Sequence, residues 1–400
     1  MARCFVVGGW RVAAASAKMK AMRGASTRPF SPLEELLRQR AGEGAWPGAV
    51  YACGGPGEEA PFLGAVGSLA VVPTQEPARA DALYDLASIT KVLACGALAL
   101  RFESKGLCDL DAPLDAPLPE LSGYAGRTPS LVDLLSHRAG FPTWAPLYAT
   151  RVLSTEDLPG SLAALEPAYE AGTSALYSCP SAIAAGLALE RIGGAPLDEL
   201  FRTEIAGPLG LEGDLRFGPL PDDELARCAP TERSRAREAG LVRERGRDGA
   251  LAARVAPGPD LVLRGVVHDG NAAALGGVAG NAGLFGTAEA VFRLASEMAF
   301  GGSLFEGASG DRPWAVEASG PGEERSFGFQ TGRSGGAPAG VLGDASIGHV
   351  GFTGTSLWMR RRPDFVAVLL TNRVHPAWKD APIQEWRREF HARAALAGES

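Results

Sequence analysis

A serine and a lysine stand three residues apart in Tyr84-Asp85-Leu86-Ala87-Ser88-Ile89-Thr90-Lys91. On a helix that spacing puts both side chains on one face. A serine hydroxyl is a poor nucleophile until a base takes its proton. The amine of Lys91 can be that base in a partly desolvated pocket, because burial disfavours its charged form. A helix start at the same place would aim backbone N–H groups at the oxygen that turns negative when a carbonyl is attacked. The spacing alone is weak evidence: with 24 serines and 5 lysines in 400 residues, chance supplies about 0.3 such pairs (24 × 5/400). The setting adds to it. Lysine is rare here beside 34 arginines, and Lys91 opens an apolar stretch with Val92, Leu93, Leu98 and Leu100. An inert charge there would be costly unless paired. The alternative reading is an N-cap serine followed by a solvated lysine.

The elements that would position this pair follow from pattern. A helix is predicted over 32–40, capped by Ser31. Strand-like runs occupy 49–53, 62–66 and 68–72, punctuated by Gly54, Gly55, Gly57 and Gly67. A long helix is predicted over 88–103, and another from Thr128-Pro129, a cap followed by proline at the first helical position. Helices over 180–192 and 196–205 are separated by Gly193-Gly194. Near the C-terminus, strands at 357–361 and 365–371 flank a turn at Arg362-Pro363-Asp364, and a last helix covers 385–396. The plan of strands, then mostly helices, then strands predicts an α+β fold: one antiparallel sheet built from both chain ends, flanked by helices, with a mostly helical region inserted. The expected division is a disordered leader at 1–29 and one domain at 30–400. Its sheet lobe comes from roughly 30–87 plus 280–400 and its helical lobe from roughly 88–279.

Composition excludes several classes. A net charge of −7 argues against nucleic acid as a partner, and no apolar run reaches the ~18 residues of a membrane span. The six cysteines (Cys4, Cys53, Cys95, Cys108, Cys179, Cys228) form no C-x-x-C pair and read as neither a disulfide framework nor a zinc site. Buried thiols fit a reducing compartment, so the expectation is cytoplasmic. Ala15-Ser16-Ala17 faintly resembles an export cleavage site, although Arg11 interrupts the apolar stretch before it. Over 221–264, Arg233, Arg235, Arg237, Arg243, Arg245 and Arg247 interleave with Glu232, Glu238, Glu244 and Asp248. The expectation is a solvated, charge-balanced excursion rather than an anion site. His268-Asp269 lacks further ligands at metal spacing and reads as a turn-stabilising pair. No cofactor and no metal are expected, and the sequence leaves the oligomeric state open.

Ser88-Ile89-Thr90-Lys91 resembles the S-x-x-K of penicillin-binding proteins, class C β-lactamases and related esterases. Further segments agree in order. Leu134-Leu135-Ser136-His137-Arg138-Ala139-Gly140 resembles LL-x-H-x-x-G. Ala171-Gly172-Thr173 with Tyr177-Ser178-Cys179 resembles the PGT and Y-x-N region, and Pro208-Leu209-Gly210 the PLG turn. His349-Val350-Gly351 stands at the K-T-G or H-x-G position, continued by Phe352-Thr353-Gly354-Thr355, and Leu369-Leu370-Thr371-Asn372-Arg373 resembles a following core strand. The likeness spans roughly 40–375, and several weak motifs in order are jointly specific.

The resemblance implies a β-lactamase/transpeptidase-like fold and residue roles. Ser88 would be the nucleophile, Lys91 its base and Tyr177 a proton relay to the leaving group. The backbone N–H groups of Ser88 and Phe352, the latter just after Gly351, would form the oxyanion hole. His349 would line the site and hold Tyr177 or a substrate carboxylate. Without these neighbours Tyr177 reads as a core aromatic, His349 as a strand histidine and His137 as a helix-end residue. Two departures matter. Cys179 stands where the family has the asparagine of Y-x-N, and a thiol cannot replace both the donor and the acceptor of an amide. His349 in place of lysine weakens fixed positive charge. Both point away from an efficient β-lactamase and toward an esterase or cell-wall-peptide hydrolase. Gly277-Val278-Ala279-Gly280-Asn281-Ala282-Gly283 resembles a G-H-A-G pattern in which Asn281 replaces the histidine. The expected partner is a small-molecule ester, peptide or β-lactam-like substrate. The competing function is a non-catalytic binder that kept the fold.

Overall fold

The computed structural model describes residues 30–396 apart from 57–60, 151–153, 245–260, 307–309, 321–322, 335–337 and 339. The expected leader at 1–29, Cys4, Arg245, Arg247 and Asp248 lie outside the described residues.

Among the described residues, twelve strands run in chain order: β1 (Gly48–Gly54), β2 (Phe62–Ala70), β3 (Glu76–Pro77), β4 (Tyr84–Asp85), β5 (Leu215–Phe217), β6 (Leu284–Gly286), β7 (Ala318–Gly320), β8 (Glu323–Arg325), β9 (Gln330–Thr331), β10 (Ser346–Val350), β11 (Ser356–Arg360) and β12 (Phe365–Thr371). Nine form an antiparallel sheet in the order β3-β2-β1-β12-β11-β10-β9-β8-β7, so strands from both ends of the chain meet at β1·β12. A small second sheet, β4-β6-β5, leads into the S-x-x-K turn. The two strand runs expected at 62–66 and 68–72 are one strand, β2.

The centre of the large sheet explains its apolar sequence. Successive side chains of a strand point to opposite faces. Val366, Val368 and Leu370 of β12 join the main core, while Phe365, Ala367 and Leu369 join a second cluster. Both faces are covered, so β12 is buried along its whole length and reads as a continuous apolar run. Helix α1 (Ser31–Gly42) and the C-terminal helix Ile383–Ala395 cover the second face, contributing Leu33, Leu36, Leu37 and Phe390. Ser31 is the first helical residue and provides no cap; Phe30 holds the N-cap position, its carbonyl accepting from the N–H groups of Leu33 and Glu34.

The predicted 88–103 helix is not one regular helix. It opens as a 3-10 turn, Ala87–Ile89, widens into a π-helical stretch, Lys91–Gly96, and becomes regular only in α2 (Ala97–Ser104). Such widened turns are frequent at functional sites. The helix expected at Thr128-Pro129 starts later, as α3 (Leu131–Leu135), where Ser130 and Asp133 form a reciprocal capping box. Asp133 is fully buried and also bonds Arg127 and Arg138 at 2.6 Å each. Helix α4 (Cys179–Gly193) is capped by Ser178 and ended by Gly194 in the left-handed conformation. Helix α5 (Ala236–Glu244) lies in the arginine-rich segment, helix α6 (Ala288–Phe300) packs on β12 and β1 from the core side, and the C-terminal helix is α7 (Ile383–Ala395).

Candidate active site

Strand β4 ends at Asp85, and the chain turns sharply through Ala87, whose φ of 48° lies in the left-handed region. That conformation costs a non-glycine residue on the order of 1 kcal/mol. The turn is held from several sides. Asp85 Oδ1 accepts from the Ala87 N–H at 2.9 Å, and its Oδ2 accepts from the His268 N–H at 2.8 Å. The Thr353 and Thr355 hydroxyls donate to the carbonyls of Asp85 and Leu86 at 2.8 and 3.1 Å. The result is a half-buried Ser88 between buried neighbours.

Lys91, on the next turn, is 2% exposed; its Nζ donates to Ser88 Oγ at 3.0 Å and to the Asn281 carbonyl at 2.9 Å. The Tyr177 hydroxyl donates to the same Ser88 Oγ at 2.7 Å, and Lys91 Nζ lies 5.2 Å from the Tyr177 ring centre. The structure therefore brings Ser88, Lys91 and Tyr177 into one hydrogen-bonded group from two separate segments. Burial pulls the Lys91 ammonium down, as expected, but the negative charge that Cys179 and Tyr177 take on when they lose their protons, together with Asp269, outweighs it and holds the amine above its ordinary value. This differs from the lowered value expected of a desolvated lysine. Burial also raises the Tyr177 phenol, against the pull of Lys91. The two groups titrate as a coupled pair.

Tyr177 is gripped on all sides. His137 meets its ring edge-on at 4.9 Å and His349 tilts toward it at 6.0 Å. The Arg325 guanidinium lies 5.3 Å from the ring centre. Glu323 pairs with Arg325 and accepts the Tyr177 backbone N–H at 3.3 Å. His137, expected only to end a helix, follows α3 with φ 61° and accepts the Ser178 N–H on Nδ1 at 3.3 Å, so it also positions the tyrosine loop. Burial, Arg325 and Lys91 push both His137 and His349 well below the ordinary histidine range, so both rings are neutral. His349 turns Nδ1 to the Val350 carbonyl at 3.0 Å and offers no cation to a carboxylate.

Gly351 lets the strand end approach the nucleophile turn: a Cβ there would lie 2.1 Å from Thr355 Oγ1 and 2.6 Å from the Leu86 carbonyl oxygen. Phe352 follows, 37% exposed, with its ring stacked on His268 at 5.3 Å and facing Arg373 at 5.5 Å on contact with the guanidinium. His268 and Asp269 do not pair with each other. Asp269 caps the short helix Gly270–Ala274, and His268 Nε2 meets Glu232 Oε1 at 2.9 Å in the interior. The arginine-rich segment is thus not merely solvated. Glu232 and Glu238 are buried, Arg235 donates to the carbonyls of His268 and Val267, and Glu238 bonds the Tyr148 hydroxyl at 2.7 Å and the Gly270 N–H at 2.8 Å. Alternating charge over 221–264 hid which members turn inward.

Cys179 begins α4, with its thiol pushed up by burial. Asn281 contributes its carbonyl to Lys91, while both heteroatoms of its buried side chain lack a hydrogen-bond partner among the described residues. Among those residues no group of three or more His, Cys, Asp or Glu side chains is arranged to hold a metal ion, and no helix is long and apolar enough to cross a membrane.

A strained turn presenting a serine, with an amine and a phenol on its oxygen, defines a serine hydrolase of the S-x-x-K type. The family model for Beta-lactamase matches residues 33–392, and the chain belongs to that family. It is 28% identical over 325 residues to a putative D-alanyl-D-alanine carboxypeptidase of Salmonella agona (strain SL483), covering 74% of this chain and 71% of that one. It is 28% identical over 320 residues to the N-acetylmuramyl-L-alanine amidase of Bacillus subtilis (strain 168), covering 73% and 68%. Its fold matches that of EstCE1, a hydrolase with promiscuous acyltransferase activity, at a TM-score of 0.68 and 20% identity, covering 96% and 100% of the two chains.

Proposed function

We propose that Ser88 attacks the carbonyl of an ester or of a cell-wall-type amide and is acylated, with the coupled Tyr177–Lys91 pair taking its proton. The observation that carries this reading is the meeting of Lys91 Nζ and the Tyr177 hydroxyl on Ser88 Oγ, at 3.0 and 2.7 Å. Tyr177 is the immediate proton acceptor, because its oxygen is the nearer one and the buried ammonium beside it stabilises a phenolate. The proton then passes from Tyr177 to the leaving group. Water enters after the leaving group departs and attacks the acyl carbonyl while the same pair takes the water's proton; the adduct then breaks the bond to Ser88 Oγ, which receives that proton back as the acid is released. The backbone N–H groups of Ser88 and Phe352 receive the oxyanion in both steps.

The substrates proposed are activated or short-chain esters, with D-amino-acid peptides next and penicillins last. Cys179 supports that order, since a half-buried neutral thiol cannot read a substrate amide from both sides. The neutral His349 supports it too, by withholding a fixed charge from a carboxylate. The carboxypeptidase and amidase among the relatives keep cell-wall peptides in the proposal. Labelling with a fluorophosphonate and with a fluorescent penicillin, side by side, tests it. Wild type should label with the first faster than with the second, and Ser88→Ala with neither. Labelling of Ser88→Ala at wild-type stoichiometry would overturn the assignment, and a folded wild type that neither labels nor turns over any ester would point to a binder.

A further inference from the structure

Arg387 sits in the first turns of α7 and is 3% exposed. Among the described residues no carboxylate pairs with it. Burial and the charge of Arg373 push its guanidinium down to about 9, and no acidic group acts to raise it. A buried cation without an anion is strongly unfavourable and is retained only where something offsets it. Here Nη2 donates to the Gly351 carbonyl at 2.6 Å and to the Thr355 carbonyl at 2.8 Å, and Nη1 reaches Gln384 Oε1 at 3.4 Å. These acceptors are the two ends of the tight loop that carries Phe352, closed by the Gly351 N–H on the Thr355 carbonyl at 2.8 Å.

The Gly351 carbonyl and the Phe352 N–H belong to the same peptide group. A cationic donor on the oxygen draws electron density from the nitrogen, which makes the N–H a stronger donor on the opposite side. A negative charge held by the Phe352 N–H would therefore face the Arg387 charge across a single planar peptide. We propose that Arg387 is a positioning residue for the oxyanion hole: it clamps and polarises the Gly351–Phe352 peptide, and its missing counter-charge is the oxyanion that forms when Ser88 attacks. This rests on the reading of Phe352 as an oxyanion donor to acyl-Ser88 chemistry. The effect is selective for the transition state, because the ground-state carbonyl oxygen carries only a partial charge.

The test compares wild type, Arg387→Gln, Arg387→Lys and Ser88→Ala on a p-nitrophenyl ester, with a trifluoromethyl ketone as a mimic of the tetrahedral adduct. Fluorophosphonate labelling counts active sites, so that misfolded protein is not read as slow protein. The expected result for Arg387→Gln is a fall in kcat per labelled site of about 10- to 100-fold, less than the loss of a whole oxyanion donor, with KM changed by no more than about twofold. Affinity for the ketone should fall in parallel, and Arg387→Lys should recover most of both. Arg387→Lys tests the inference even if the glutamine variant does not fold: its ketone affinity and kcat per labelled site should stay within a few-fold of wild type, and a full loss of both in folded, labelled protein would overturn the charge role. Unchanged kcat and ketone affinity in Arg387→Gln, beside an inactive Ser88→Ala, would overturn the inference alone. Turnover by Ser88→Ala would remove the acyl-serine reading and the inference together.

Discussion

Replacing Tyr177 by phenylalanine separates the chemistry of its hydroxyl from the packing of its ring. The ring contacts with His137 at 4.9 Å, His349 at 6.0 Å and Arg325 at 5.3 Å survive in Tyr177→Phe. The change removes the 2.7 Å bond to Ser88 Oγ and the oxygen that accepts its proton. A positioned general base supplies about 10²–10⁴-fold, or about 2.7–5.4 kcal/mol of barrier, so acylation measured as kcat/KM on a neutral ester should fall by that much. The pH profile gives a second readout. In wild type the coupled pair must lose one proton to act, and both partners lie above their ordinary values. The profile should therefore still be rising, about tenfold per pH unit, beyond pH 8. Without the phenol, one of the influences that hold Lys91 up is gone while burial still pulls it down. The residual activity of Tyr177→Phe should then rise at lower pH than in wild type. Lys91→Met should be comparably slow, and the double variant little worse than either single one, because the two side chains act as a unit. Acylation by Tyr177→Phe within threefold of wild type, or losses that multiply in the double variant, would refute the coupled-pair reading.

In Cys179→Asn, the restored amide should raise reactivity toward amides and penicillins by roughly 5- to 150-fold relative to esters, the equivalent of about 1–3 kcal/mol for one substrate hydrogen bond; competitive kinetics on an ester and a penicillin would show it. Glu238, held up at about 7 by burial and by Asp269, binds its proton more tightly folded than unfolded. It contributes stability below the unfolded carboxyl value and loses it as pH rises toward 7, about 3–4 kcal/mol in all. Thermal melts should show that decline in wild type and a flatter profile in Glu238→Gln.

The chemistry of this protein was legible where it is local. Ser88 and Lys91 belong to one turn, so their spacing on the chain already places them together, and the apolar run after Lys91 already implies burial. The alternation and turn signals of 357–371 mark a hairpin, because strand periodicity is a property of neighbouring residues. Continuous burial of β12 is likewise written in its unbroken apolar run. The tertiary structure decided what depends on groups far apart in sequence. Lys91 was expected to be lowered by burial, but its partners come from residues 177, 179 and 269, and together they outweigh desolvation. Whether Glu232 and Glu238 are solvated cannot be read from a charge-balanced segment, since His268, Gly270 and Tyr148 bring them inside. Arg387 carries no local motif. Its meaning comes from the fold packing α7 behind the loop of Phe352, where two carbonyls and no carboxylate receive its charge. Spacing along the chain fixes which side chains share a turn, but the electrostatic state of a buried group is set by every charge and dipole within a few ångströms, and only the folded chain decides which those are.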